Sequence, residues 1–194
     1  LIPMESVRVL IADDHAMFRA AFARNLRGRG YEVLEAEDGE EAMRIIRSQT
    51  EPLIVVTDLQ MRTKREGLEV IRLLKSDMPL VPIIMISAVG TFEDGALASQ
   101  YGAASVFSKS RIEQDLDLLD SQIKHCHAAY LKNSVVLEKV RQIAEPADSA
   151  PAGQAIAQLQ QYLSDSELDP YIKGEVYERL VALQSAELRS DAER

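Results

Sequence analysis

The stretch VLIADDHAMFR, residues 9 to 19, places two adjacent carboxylates, Asp13 and Asp14, at the end of an apolar run. A continuous apolar run is typical of a buried strand, and the residues after the pair show helical spacing of apolar positions. Adjacent like charges raise each other's proton affinity, and burial adds to that cost. The pair therefore indicates one of two arrangements. Either the two carboxylates lie at the edge of the fold, where water screens them, or a cation is bound between them.

The alternation of apolar runs and helical segments continues over about the first 125 residues. The predicted strands are 7–12, 31–36, 53–58, 82–87 and 105–108. The predicted helices between them are 16–27, 39–48, 67–76 and 92–101. This alternation is typical of a parallel sheet covered by helices on both faces. We therefore predict an α/β fold with a doubly wound, five-stranded parallel sheet.

Polar side chains stand at the ends of four of these strands. Asp13 and Asp14 follow the first strand and Asp58 ends the third, while Ser87 ends the fourth and Lys109 follows the fifth. In parallel sheets, functional groups collect beyond the carboxyl ends of the strands. Clustered carboxylates are the ligands that Mg²⁺ prefers, and a carboxylate can also take a phosphoryl group. A lysine and a hydroxyl could then contact the phosphoryl oxygens.

At this point the sequence resembles the receiver domain of bacterial two-component response regulators. The motifs are ADD at 12–14, TD at 57–58, ISA at 86–88 and SK at 108–109, in the family's order. The resemblance covers residues 5–125 and implies a flavodoxin-like receiver fold. The segments LIADDHAMFRAAF and SVFSKS look most like the subfamily that usually carries a helix-turn-helix output domain.

The resemblance also implies roles for individual residues. Asp58 matches the phosphoacceptor, Ser87 the switch hydroxyl and Lys109 the lysine that pairs with the phosphate. The magnesium ligands implied by the family are the side chains of Asp13, Asp14 and Asp58 and the backbone carbonyl of Gln60. No further catalytic residue is implied.

The sequence departs from the family at several positions. Arg62 stands where the family usually has proline, and Gly67 comes one residue later than the family's glycine. Ser110 replaces the frequent proline after the lysine. Val106 stands where a switch Tyr or Phe is typical, and its neighbour Phe107 should point to the opposite face of the strand. We expect the phosphorylation chemistry to be intact and the aromatic part of the switch to differ.

Composition limits the other functional classes. The formal charge of −9 argues against sequence-independent nucleic-acid binding, which requires a basic surface. A lone cysteine excludes an internal disulfide and suits a reducing cytoplasm. No apolar stretch approaches the ~20 residues that span a bilayer. We therefore expect a cytoplasmic protein that contacts neither DNA nor membrane.

Two other groups of residues could suggest a metal or catalytic site. His125, Cys126 and His127 are consecutive on a predicted helix, where neighbouring side chains diverge, so we interpret them as an ordinary helix surface with one buried cysteine. His15 is interpreted as a polar residue near the rim of the sheet.

Residues 126–194 predict a helical C-terminal extension. We predict an extended helix at 126–144, a linker at 145–153, where two prolines interrupt the pattern, and a short helical segment at 154–190. The extension carries 7 Lys and Arg against 11 Asp and Glu, with no basic recognition helix, so the expected helix-turn-helix is missing.

A heptad pattern connects the receiver to this extension, because apolar residues recur at alternating spacings of four and three. The positions are Ile112, Leu116, Leu119, Ile123, Cys126, Tyr130, Asn133, Leu137, Val140 and Ala144. Such a seam predicts a coiled coil with a second subunit, in which Asn133 would set the register. The same pattern is also typical of a helix that packs on the receiver or on the short helices after it.

Together these features predict a response regulator that is not an enzyme. A sensor histidine kinase or a phosphotransfer protein would phosphorylate Asp58 in the presence of Mg²⁺. Phosphorylation would then switch a homodimer or a contact with an unknown downstream protein. The alternatives are a degenerate receiver acting as a phosphorylation-independent scaffold and a Mg²⁺-dependent phosphohydrolase. The hydrolase alternative is weakened by Gln60, because such enzymes typically place a second acid two residues after the nucleophile.

Overall fold

The computed structural model describes residues 7–63, 65–88, 92–143 and 152–192. The strands are β1 Arg8–Ala12, β2 Glu32–Ala36, β3 Leu53–Asp58, β4 Ile83–Ser87 and β5 Ser105–Ser108. The helices are α1 Ala16–Gly28, α2 Gly39–Ser48, α3 Glu66–Asp77, α4 Phe92–Gln100, α5 Leu116–Ile143, α6 Ala152–Ser164 and α7 Pro170–Ala192. A short 3₁₀ turn, Lys109–Arg111, follows β5.

In the described part of the chain the five strands form one parallel sheet in the order β2-β1-β3-β4-β5. The strand order reverses direction between β1 and β3, so their carboxyl ends flank the crevice where doubly wound folds place their ligands. Ala12 of β1 pairs with Thr57 of β3, and Asp58 pairs with Ile86 of β4. The predicted fold class is confirmed.

Two apolar layers cover the sheet, because alternate residues of each strand point to opposite faces. Leu10 and Val55 pack in one layer with residues of α2 and α3, and Val9 and Val56 pack in the other with residues of α1 and α5. β3 is buried along its whole length, as expected of a central strand covered on both sides. This rigid centre holds the polar residues at its carboxyl end.

The chain divides into two units, Leu1–Tyr130 and Leu131–Arg194, and the boundary falls inside the continuous helix α5. The first unit contains the sheet. The second contains the last part of α5 together with α6 and α7. The predicted linker at 145–153 lies mostly outside the described residues, since 144–151 are not described. Among the described helices, none has both the length and the apolar character needed to cross a bilayer.

Residues of the predicted heptad seam are buried within the single chain in the second unit. Asn133, Leu137 and Val140 are all at most 8% exposed. The side-chain Oδ1 of Asn133 accepts a hydrogen bond from the backbone N–H of Asp169, 3.3 Å away, at the start of α7. Leu159, Leu168, Ile172, Val176 and Leu180 of the same unit are also buried.

This packing corresponds to the alternative in which the tail of the helix packs on the short helices after it. The expected coiled coil with a second subunit is not what covers Asn133, Leu137 and Val140, because those side chains are already shielded from solvent. Ala144, the last position of the seam, lies outside the described residues. Asn133, Leu137 and Val140 are therefore not available for contact with a second chain.

Candidate functional site

The first strand delivers one buried and one exposed carboxylate to the carboxyl edge of the sheet. Asp13 is fully buried, whereas Asp14 is exposed. The backbone N–H of His15 donates to Asp13 Oδ1 at 2.9 Å, and the backbone carbonyl of Asp13 accepts from the Arg19 guanidinium. These contacts fix Asp13 at the point where β1 turns into α1.

The third strand delivers Asp58, which is 4% exposed. The backbone N–H of Gln60 donates to Asp58 Oδ1 at 3.3 Å, while the Gln60 side chain is exposed. Gly67 closes the loop after the strand, and its N–H donates to the carbonyl of Leu59 at 3.1 Å. A Cβ at position 67 would lie 2.0 Å from the Asp58 carbonyl oxygen, so this position requires glycine.

The end of the fifth strand brings a lysine between the two buried carboxylates. Lys109 Nζ lies 2.5 Å from Asp58 Oδ2, to which it donates a hydrogen bond, and 2.6 Å from Asp13 Oδ2. The Lys109 side chain is only 13% exposed. Because all three groups are largely shielded from water, the attraction of the ammonium for each carboxylate is stronger than in a surface ion pair.

Burial and charge act in opposite directions on these groups. Burial raises the pKa of Asp58 above its ordinary value of 3.8; Lys109 opposes this rise and Asp13 adds to it. Burial lowers the pKa of Lys109, but its contacts with Asp13 and Asp58 outweigh that effect, so the pKa lies above 10.5. The lysine is therefore a cation at neutral pH and offsets part of the negative charge.

The donor set fits a hard divalent cation. Carboxylate oxygens of Asp13, Asp14 and Asp58 lie within 4.8 Å of one another, and no other group of His, Cys, Asp or Glu in the described chain has such an arrangement. Asp13 Oδ2 is buried and receives no hydrogen bond, although the Lys109 ammonium stands beside it as an ion pair. Mg²⁺ favours such carboxylates and keeps several waters, which the exposed side of Asp14 allows.

The predicted switch hydroxyl, Ser87, lies at the end of the strand next to β5. Ser87 is the last residue of β4 and is 2% exposed; it pairs in register with Ser108, next to Lys109. Val106 and Phe107 belong to the opposite apolar layers of the sheet. Phe107 therefore does not replace the aromatic residue that is typical at position 106, as the alternation of the strand predicts.

The other histidines and the cysteine stay outside the site. His15 caps α1, and its Nδ1 accepts from the backbone N–H of Phe18 at 3.1 Å. Cys126 is buried, and burial raises the pKa of its thiol. His125, the residue before Cys126 on α5, is exposed. These observations agree with structural rather than catalytic interpretations.

Two features of the site were not predicted. The unusual Arg62 pairs with Glu37 and with Asp38, whose other oxygen caps α2 by accepting from the N–H of Glu41 at 2.7 Å. The ring of Phe18 lies under the Lys109 ammonium, 4.7 Å from ring centroid to Nζ. In the sequence, this contact is indicated only by the position of Phe18 in the first turns of the helix that follows the acidic pair.

Comparison with known families finds one match over the first unit. The response regulator receiver domain family matches residues 9–119. A putative NtrX-like response regulator of Rickettsia typhi is 30% identical over 106 residues, 55% of this chain and 22% of that protein. The alkaline phosphatase synthesis transcriptional regulatory protein PhoP of Bacillus subtilis is 33% identical over 103 residues, 53% of this chain and 42% of that protein.

Solved structures of receiver domains agree with this match. The beryllofluoride-activated NtrC4 receiver domain dimer is 27% identical with a TM-score of 0.55, covering 63% of this chain and 98% of that chain. The response regulator TrrA of Thermotoga maritima, in complex with Mg²⁺ and BeF, is 27% identical with a TM-score of 0.54, covering 62% and 98%. The chain spans only between 22% and 46% of the length of the first curated relatives it matches.

Proposed function

The chain belongs to the response regulator receiver domain family, and on this premise we propose that it is a signalling switch phosphorylated on Asp58. The observation that carries the proposal is the contact of the Lys109 ammonium with Asp58 Oδ2 at 2.5 Å, beside the carboxylates of Asp13 and Asp14. A nucleophile, a cation and a set of metal-binding oxygens thus share one edge of the sheet. Their arrangement supports phosphoryl transfer to Asp58.

In the proposed step, a carboxylate oxygen of Asp58 attacks the phosphorus of the donor. The new oxygen–phosphorus bond forms as the bond to the leaving group breaks, and the leaving group keeps the electron pair; acetate, the leaving group of acetyl phosphate, departs as its anion. The Lys109 ammonium is placed to offset charge on the phosphoryl oxygens. Ser87, at the end of the neighbouring strand, is proposed to donate its hydroxyl to one of them.

We propose Mg²⁺ as the metal, held by the carboxylates of Asp13, Asp14 and Asp58 and the backbone carbonyl of Gln60. When bound, it supplies positive charge to the phosphoryl oxygens. The mutual proximity of the carboxylate oxygens of Asp13, Asp14 and Asp58 supports this assignment. The similar response regulator TrrA was solved in complex with Mg²⁺ and BeF, which supports the same choice of metal.

The phosphodonor is proposed to be a sensor histidine kinase or a phosphotransfer protein, and the site of action the cytoplasm. We propose that the output is a protein contact with an unknown downstream partner and not direct DNA binding. The acidic balance of the chain supports this choice. Gln60 supports a phosphoacceptor that does not turn over external substrates, since the position lacks an acid for a leaving group.

We also propose that phosphorylation switches homodimerisation. The NtrC4 receiver domain, 27% identical to this chain, is a dimer in its beryllofluoride-activated form. Leu118 is the most exposed large apolar residue described on α5, at 63%. We place Leu118 in the contact, since Asn133, Leu137 and Val140 of the heptad seam are already buried within the single chain.

Intact-mass spectrometry after incubation with Mg²⁺ and acetyl phosphate tests the phosphoacceptor. We expect one labile phosphoryl group on the wild-type protein and none on Asp58→Asn. The matched control is Asp117→Asn, which removes an exposed carboxylate on α5 and should be modified like the wild type. A wild-type protein that stays unmodified at saturating donor would favour a scaffold that works without phosphorylation. Steady release of phosphate from many small esters would favour a phosphohydrolase.

A further inference from the structure

Phe18 is held in a defined orientation on the first turns of α1. Its backbone N–H donates to Nδ1 of the capping residue His15, and its ring stacks on Phe22 with centroids 5.6 Å apart and planes inclined by 25°. Phe22 is 2% exposed and belongs to the core layer, whereas Phe18 is only partly buried at its edge. The ring of Phe18 thus packs against Phe22 and also contacts the Lys109 ammonium of the site.

The face of this ring is one of three contacts around the Lys109 ammonium. Nζ lies 4.7 Å from the centroid of Phe18, 2.5 Å from Asp58 Oδ2 and 2.6 Å from Asp13 Oδ2. A cation within about 6 Å of a ring centroid is attracted by the negative face of the ring, most strongly where water is excluded. With a lysine side chain only 13% exposed, this condition is met.

The ring differs from the two carboxylates in one respect that bears on the reaction. Phosphorylation would convert the Asp58 carboxylate into an acyl phosphate, whose negative charge lies on the phosphoryl oxygens, and a cation on Asp13 would compete with the ammonium. The first change moves the anion that Lys109 contacts, and the second weakens the attraction of Asp13 for the ammonium. The attraction of the ring does not depend on the charge of either aspartate and persists throughout.

We propose that Phe18 is a positioning residue, whose ring holds the Lys109 ammonium beside Asp58 while the charges of the carboxylates change. The inference rests on the proposed phosphorylation of Asp58. It assigns Phe18 no contact with the donor and no part in bond making. Its consequence is that the rate of phosphorylation depends on the electron density of the ring at position 18, and not only on its volume.

Fluorinated phenylalanines at position 18 separate these two properties. Replacing Phe18 by 4-fluoro-, 3,5-difluoro- and 3,4,5-trifluorophenylalanine leaves the size nearly unchanged but progressively weakens the negative face of the ring. With full-length protein, Mg²⁺ and acetyl phosphate, we expect the initial rate of phosphorylation to fall stepwise, by roughly 3- to 10-fold over the series. The same series at Phe22, which packs one turn away, is the control and should leave the rate within about twofold.

The outcomes distinguish this inference from the function on which it rests. If wild-type protein is phosphorylated and the rate is equal across the Phe18 series, the positioning role is refuted and Asp58 remains the phosphoacceptor. A rate that falls equally in the Phe18 and Phe22 series also refutes it, because the effect would then be one of core packing. If wild-type protein takes no phosphoryl group, both the proposed function and the positioning role are wrong.

Discussion

At the scale of single residues, the site is defined by three carboxylates and one ammonium group. Asp13 and Asp58 are buried, and Lys109 stands between them. Taking ions out of water is costly, and one lysine does not neutralise two buried carboxylates and the neighbouring Asp14. The site therefore carries excess negative charge, which a divalent cation would relieve.

Added Mg²⁺ should accordingly stabilise the protein, and Asp14 should be needed for that effect. A ligand that binds only the folded state raises the free energy of unfolding, by about 2.7 kcal/mol at a concentration 100 times Kd. We expect the melting temperature of the wild type to rise with millimolar Mg²⁺ and that of Asp14→Ala to stay constant. Differential scanning calorimetry measures both.

Asp117→Ala is the control for the loss of a carboxylate, since this exposed residue lies outside the cluster and should keep the wild-type response. The metal site is wrong if Mg²⁺ leaves the melting temperature of the wild type unchanged, or if it raises that of Asp14→Ala by the same amount. Replacing MgCl₂ by NaCl of equal ionic strength separates specific binding from screening of surface charge.

At the scale of elements, polar contacts join the loops and helices that frame the sheet. Arg62 in the loop after β3 pairs with Asp38, which caps α2, and Glu66 of α3 accepts from the N–H of Gly39 at 2.8 Å. The loop that departs from the family's usual sequence is thus tied to α2. On the other face, Tyr31 just before β2 donates to Asp120 Oδ1 of α5 at 2.7 Å.

The contact between Tyr31 and Asp120 predicts a pH dependence of stability. The salt bridge with Lys124 and the hydrogen bond from Tyr31 hold the pKa of Asp120 below its ordinary value of 3.8. Between the lowered pKa and 3.8, the unfolded state therefore binds more protons than the folded state. The stabilisation is therefore fully present above pH 3.8 and is lost as the pH falls through the lowered pKa.

Tyr31→Phe removes the hydroxyl and keeps the ring. Because the bond reaches a charged acceptor that is partly in contact with water, we expect the variant to lose about 1 kcal/mol of unfolding free energy at pH 7. The difference from the wild type should shrink as the pH falls below 3.8 through the lowered pKa of Asp120. Urea unfolding at a series of pH values measures it. Tyr101→Phe, at an exposed tyrosine, is the control, and a difference that grows on acidification would contradict the assignment.

At the scale of the whole molecule, the chain joins a receiver unit to a helical unit through the continuous helix α5. Each unit has its own buried apolar residues, such as Val55 in the first and Ile172 in the second. In the second unit, Lys132 pairs with Asp165 and Glu167 in the turn between α6 and α7. Burial of Asn133, Leu137 and Val140 in the second unit accounts for the last described positions of the heptad seam within one chain.

If the output is a homodimer formed through the receiver, its affinity should depend on Leu118 and on phosphorylation. We expect sedimentation velocity to show a larger dimer fraction with Mg²⁺ and acetyl phosphate than without, since the two states must differ in affinity for the shift to occur. Leu118→Asp should reduce the dimer fraction. Val135→Asp, an equally drastic change at an exposed position of α5 in the second unit, should not.

A protein that sediments as a monomer with and without donor would exclude the homodimer and leave a different protein partner as the output. Loss of the dimer with Val135→Asp alone would instead place the contact on the helical unit. Mass spectrometry on the same samples verifies that Asp58 is phosphorylated, so that a negative result concerns the dimer and not the modification.

Much of the architecture is determined by the local sequence. The continuous apolar runs of β3 and β4 and the helical spacing between them are sufficient to predict a parallel sheet, because a strand buried on both faces admits few polar residues. Asp13, Asp58, Ser87 and Lys109 could be assigned to one edge, since the carboxyl ends of parallel strands lie on the same side. Their convergence follows from topology that alternation alone predicts.

The tertiary structure decided the contacts between residues far apart in the chain. The heptad positions Asn133 and Leu137 have the same spacing whether a helix pairs with a second subunit or packs within its own chain, and only the fold shows that they are buried here. Likewise, the sequence assigns Phe18 to an apolar helix face. The cation above its ring comes from Lys109, which follows the last strand and is far from Phe18 in the sequence. Periodicity determines which face of an element is apolar, whereas the identity of what covers that face depends on packing between distant segments.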